Sequence, residues 1–119
     1  MRELAGSPAV ALITCSSGSM EPTIAVGQSV RVRAIPSQEL RVGDVVVYEG
    51  NEGAYIMHRI VLIAPSRKWF LHIGDAPTGA GPRRALMASI LGRVDRQRRR
   101  PPARVYLQAA RTLLRRYLP

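Results

Sequence analysis

The run Ser17-Gly18-Ser19-Met20-Glu21-Pro22-Thr23 places two hydroxyls ahead of a proline, and His58 follows 35 residues after Thr23. Serine is a poor nucleophile at neutral pH unless a base removes its proton, so a reactive serine needs a partner. The chain has two histidines, and His58 lies inside an apolar run, Met57 to Val61, with strand character. An imidazole, with an ordinary pKa of about 6.5, suits base work near neutrality without special tuning. Downstream, Gly74-Asp75 offers a carboxylate that could orient the imidazole and stabilise its protonated form. Each feature also has an ordinary reading. Ser-x-Ser-Met can be a plain turn, a strand histidine can be hydrogen-bonded in a core, and an aspartate after glycine can bind turn N–H groups. Metal chemistry is disfavoured, because two histidines and the single Cys15 are widely separated and lack ligand spacing. No glycine-rich run ends in Lys-Ser or Lys-Thr, so no phosphate loop is present, and no cofactor is expected.

The elements that must position these residues read as short strands. Val10 to Thr14 is an apolar, partly β-branched run leading into the serine segment, where Pro22 stops any helix. Ser29 to Ala34 alternates strictly, Val30 and Val32 inward and Arg31 and Arg33 outward, as a half-buried strand does. Val42-Gly43-Asp44 turns into the β-branched Val45 to Tyr48. Asn51 to Gly53 is a hairpin-like turn before the long strand Ala54 to Ala64. Pro65 to Lys68 turns again, Trp69 to Ile73 returns as a strand, Asp75 to Pro82 is a Gly/Pro loop, and Ile90 to Val94 is a last short strand. Closely spaced strands with punctuating turns predict a mainly β fold, a curled antiparallel sheet or partial barrel. With 119 residues and few aromatics, the chain supports one core, built chiefly from Val, Ile, Leu and Ala. Cys15 reads as a small buried member of it.

The ordered set SGSMEPT, VGDVVVY (42–48), MHRIV (57–61), IGD (73–75) and ILGRV (90–94) resembles the type I signal peptidase family in its histidine-based form. The resemblance covers 14–94, about two thirds of the chain. It implies a serine endopeptidase that removes a signal or leader segment after small residues at the first and third positions before the bond. It makes Ser19, immediately before the methionine, the nucleophile and His58 the general base. Ser17 matches the place where some relatives carry an oxyanion-binding hydroxyl, with the Ser19 backbone N–H as the other donor. Asp75 would orient His58. Relatives of this type usually read Gly-Asp-Asn and carry a further aspartate, whereas this chain reads Gly-Asp-Ala-Pro with no acid through Leu86, so a Ser/His dyad is the other possibility. His72 is expected to hydrogen-bond at a strand end, outside catalysis, Asp44 to be an architectural acceptor, and Arg59 a brace paired with a carboxylate. A base of this kind predicts a rate that rises with pH through a step near 6 to 7.

Charge is concentrated at one end. Nine of the 18 basic residues lie in 93–119 against one acid, Asp95, so that stretch carries +8 and the preceding residues +2. The sequence divides into a catalytic β domain over 1–95, a basic, proline-ended linker over 96–102 and an amphipathic basic helix over 103–119. Tyr106, Leu113, Leu114 and Tyr117 share one helix face, and Arg104, Arg111 and Arg115 the other. That face suits an anionic membrane surface and equally the body or a second subunit of a homo-oligomer. The longest apolar stretch near the start, Pro8 to Thr14, falls short of the roughly 20 residues a spanning helix needs. A cytoplasmic or peripherally membrane-associated location is therefore expected. The substrate would be a precursor protein or peptide. Nucleic acid is disfavoured, since the tail lacks aromatics interleaved for base stacking. The alternative to an enzyme is a non-catalytic peptide-, membrane- or nucleic-acid-binding module on the same fold.

Overall fold

The computed structural model describes residues 10–77 and 81–95. The linker and amphipathic helix expected over 96–119 lie outside the described residues. Within them the fold is mainly β: one seven-stranded sheet, every neighbouring pair antiparallel. The strands are β1 (Val10–Thr14), β2 (Ser29–Arg33), β3 (Val45–Glu49), β4 (Tyr55–Ile63), β5 (Trp69–Ile73), β6 (Arg83–Leu86) and β7 (Ile90–Val94). Their order across the sheet is β1-β2-β7-β3-β4-β5-β6, so β1 and β6 form the two edges and the sheet is open.

Sequence pattern explains which strand sits where. In β2, Val30 and Val32 are buried and Ser29 and Arg31 exposed, the half-buried alternation its residues dictate. β3 lies at the centre of the sheet, and its Val45 to Tyr48 are all buried. Val45 and Val47 point into a core shared with Met20, Ile24, Val30 and Val32. Val46 and Tyr48 point the other way, into a second core with Leu40, Ile60 and Phe70. A continuous β-branched run is what a strand covered on both faces requires.

Two loops matter most for the site. The segment after β1 contains a short 3₁₀ turn, Gly18–Met20, and its fully buried Met20 and Ile24 pin it to the first core. The turn before β3 carries Gly43 at φ 100°, a left-handed conformation that glycine adopts without a Cβ penalty. Asp44 beside it accepts the Arg41 backbone N–H at 2.9 Å, the architectural role expected of it.

β6 was not expected. Its residues, Arg-Arg-Ala-Leu, show little apolar alternation, and three of the four are exposed. It is ordered by pairing with β5, from Trp69 opposite Leu86 to His72 opposite Arg83. The Arg84 guanidinium lies 5.6 Å from the centre of the Trp69 ring, a cation–π arrangement that supports the edge. No helix among the described residues is long and apolar enough to cross a membrane.

Candidate active site

Ser19 sits half-buried in the 3₁₀ turn, held by its own main chain. The Ala76 N–H donates to the Ser19 carbonyl at 2.9 Å. Gly74 packs against the same peptide so closely that a Cβ there would stand 2.3 Å from the Ser19 oxygen. The Gly-Asp-Ala segment therefore acts as a clamp on the serine backbone, and glycine at 74 is what allows the approach. The Ser17 hydroxyl lies 3.3 Å from Ser19 Oγ, consistent with a local polar pair at the mouth of the turn. Cys15 is buried as expected and its Sγ–H donates to the Ser17 carbonyl.

His58 comes from the middle of β4, opposite Val46 of β3. Although Ser19 and His58 are 39 positions apart in the sequence, both line two adjoining clefts. The larger, about 640 Å³, lies along 13–17 and 54–58, between the end of β1 and the start of β4, two strands that do not pair with each other. The smaller, about 230 Å³, adds Tyr48, His72, Gly74, Ala76 and Arg83 to its walls.

The partner of His58 departs from expectation. Its Nδ1 lies 2.9 Å from Nδ1 of His72, and Nε2 of His72 lies 2.8 Å from the Tyr48 hydroxyl. His72, next to the end of β5, is hydrogen-bonded there as expected, and it is also buried and stands directly against the candidate base. Burial pushes the His58 imidazole down to about 4, against the nearby Asp75 charge that favours its proton and with the Arg83 charge that opposes it. Burial, then His58 and Arg83, bring His72 to about 4 as well. The step expected near pH 6 to 7 therefore moves down, because an imidazole removed from water holds its charged form less well. Burial likewise raises the Tyr48 phenol, keeping its hydroxyl neutral.

Asp75 is fully buried, and its hydrogen bonds run elsewhere than to His58. Arg59 grips it with two, Nε to Oδ1 at 2.9 Å and Nη2 to Oδ2 at 2.6 Å, and Thr23 of the serine segment donates to Oδ2 at 2.5 Å. Arg59 Nη1 also donates to the Gly43 carbonyl at 2.7 Å. The brace expected of Arg59 is present, and its carboxylate is the one expected to orient His58. Asp75 thus joins β4, the serine segment and the loop after β5, and acts on His58 through space.

His72 and Tyr48 were missed as site residues. β4 and β5 form a hairpin, which brings the two histidines to adjacent strands, and His72 pairs directly with Ile60, two residues from His58. That diagonal is within reach of long side chains on one face. A register shift between Ile60 and Leu62 hid the pairing from a simple count back from the turn. Among the described residues no cluster of His, Cys, Asp and Glu could hold a metal ion. In comparisons with known proteins, the chain matches no family model and no curated protein.

Proposed function

We propose that this chain is a serine endopeptidase that cleaves a signal or leader segment from a protein or peptide precursor, on a curled, partial-barrel sheet of the signal peptidase type. The observation that carries the reading is the convergence of Ser19 and His58 on the same clefts, with the serine backbone clamped and the histidine held neutral above about pH 5. With Nδ1 of His58 engaged by His72, Nε2 is the nitrogen left to take the Ser19 proton. Ser19 Oγ attacks the scissile carbonyl carbon as its proton passes to His58. Ser17 Oγ–H and the Ser19 N–H are the donors offered to the developing oxyanion. The tetrahedral adduct then expels the amine, which takes the proton from His58. Water, deprotonated by His58, attacks the acyl-serine ester and releases the acid, and the proton returns to Ser19.

The open space between β1 and β4 suits an extended peptide, which could pair with exposed main chain at the β1 edge. Purified protein incubated with leader peptides carrying small residues at the first and third positions before the bond should give two fragments by mass spectrometry, and Ser19→Ala should give none. Equal cleavage by both proteins would end the assignment. Peptide binding without cleavage by either would favour the binding-module alternative.

A further inference from the structure

On the peptidase reading, on which this depends, we propose that His72, anchored by Tyr48, is the positioning residue that sets the tautomer and orientation of His58, a task that in Ser-His-Asp sites belongs to a carboxylate. The geometry is direct. Between the two Nδ1 atoms, 2.9 Å apart, one nitrogen must donate and the other accept. A neutral imidazole carries one N–H, so the choice at this contact fixes the far nitrogen of each ring.

If His58 donates from Nδ1, its Nε2 presents a lone pair and can act as a base. His72 then accepts on Nδ1, carries its proton on Nε2, and donates that proton to the Tyr48 oxygen 2.8 Å away. If the chain runs in reverse, Tyr48 donates to His72, His72 donates to His58, and the His58 proton sits on Nε2. In that state His58 offers Ser19 a donor and no base. The direction of one hydrogen-bond chain therefore separates a competent site from an incompetent one.

Asp75 is poorly suited to set that direction. Its Oδ1 receives Arg59 Nε, its Oδ2 receives Arg59 Nη2 and Thr23 Oγ, and the adjacent guanidinium offsets its charge. His72 is only 2% exposed and lies between His58, Tyr48 and the Phe70 ring, 5.5 Å away between centres, so its plane is fixed by packing as well as by hydrogen bonds. When His58 accepts the serine proton on Nε2, its Nδ1–H remains donated to the lone pair of His72, which keeps the imidazolium aligned for transfer to the leaving amine.

Two measurements on the full chain test this. Nitrogen-15 NMR of histidine-labelled wild-type protein at pH 7 should show His58 protonated on Nδ1 and His72 on Nε2. A His58 proton on Nε2 would overturn the proposal, whether or not the protein cleaves peptides. Kinetics on an internally quenched peptide with Ala-Gln-Ala before the scissile bond supply the second. His72→Leu should lower kcat about 100-fold or more with KM little changed, as loss of a tautomer-setting partner does. His72→Asn, whose side-chain oxygen can accept the His58 Nδ1–H, should recover most of that loss. A His72→Leu rate within twofold of wild type, or His72→Asn as impaired as His72→Leu, would overturn the positioning role. Failure of the wild-type protein to cut the peptide would count against the peptidase reading, leaving the nitrogen shifts to judge the hydrogen-bond chain.

Discussion

His58 and Arg59 are neighbours on β4, yet they belong to two buried polar clusters of opposite kind. On one side, His58, His72 and Tyr48 form a chain of neutral groups whose protons can change place. On the other, Arg59, Asp75 and Thr23 form a fixed pair of full charges with both carboxylate oxygens occupied. Both clusters meet the serine segment, the first through the shared clefts and the second through Thr23. On the proposed peptidase reading, the contrast separates chemistry from support. A group that must gain and lose a proton needs neutral, reversible partners, while a loop that must not move is better tied by a buried ion pair.

The largest effect should come from breaking the chemical cluster. Ser19→Ala and His58→Ala should each lower turnover by several orders of magnitude, on the order of 10⁴- to 10⁶-fold, since members of such a unit fail together. The Ser19→Ala urea midpoint should stay close to wild type, because that side chain fills little core, while His58→Ala should lose some stability by removing the partner of the buried His72 Nδ1. The supporting cluster should fail the opposite way. Asp75→Ala removes the carboxylate that pairs with the Arg59 guanidinium, which is only 1% exposed. Removing one member of a buried ion pair typically costs about 3–5 kcal/mol, so equilibrium unfolding should report a large loss of stability. If Asp75→Ala is stable but inactive, the carboxylate belongs to the chemistry after all.

Gly74→Ala lies between these cases. A Cβ at 74 would collide with the Ser19 carbonyl, so the serine must shift. A displacement of about 1 Å at a nucleophile can cost roughly 100-fold in rate, and kcat on a leader peptide should fall by that order with little change in secondary structure by circular dichroism.

Acid should act on both rate and stability through the histidines. His58 must be neutral to act as a base, so the rate should rise with pH through a step near 4 and be level above about pH 6. Both histidines bind a proton less readily folded, at about 4, than unfolded, at about 6.5. The unfolded chain therefore takes up more protons as the pH falls through that window, and stability present above about pH 6.5 should be lost progressively toward 4. Urea midpoints across this range check the sign, and His72→Leu should flatten part of the slope. The smallest effect on catalysis should follow truncation after Asp95: turnover of a soluble peptide within about twofold of wild type, but loss of salt-sensitive binding to anionic vesicles, to which each basic residue contributes about 1 kcal/mol.

The strands were legible because their pattern is simple: alternation in β2, a β-branched run in β3, and turn residues between them. β6 was not, because its order comes from pairing with β5 and from Arg84 against Trp69. Ser19 and His58 stood out by residue type and by resemblance, and the fold brings them to common walls. The second half of the site was hidden for a physical reason. Which group touches His58 depends on strand register, and the irregularity between Ile60 and Leu62 changes it by one residue. The resemblance gave Asp75 the task of orienting His58; the sequence could not show that its carboxylate also binds Arg59 and Thr23, because those contacts are set in three dimensions.

The central claim, that Ser19 is a nucleophile served by His58, is tested most directly by trapping the acyl-enzyme. Wild-type protein mixed with a leader peptide and quenched in acid within one turnover should carry the amino-terminal fragment as an ester on the tryptic peptide containing Ser19. Tandem mass spectra should place it on Ser19, with none formed by Ser19→Ala or His58→Ala. An adduct on Cys15 or Ser17 instead, or continued cleavage by Ser19→Ala, would contradict the account.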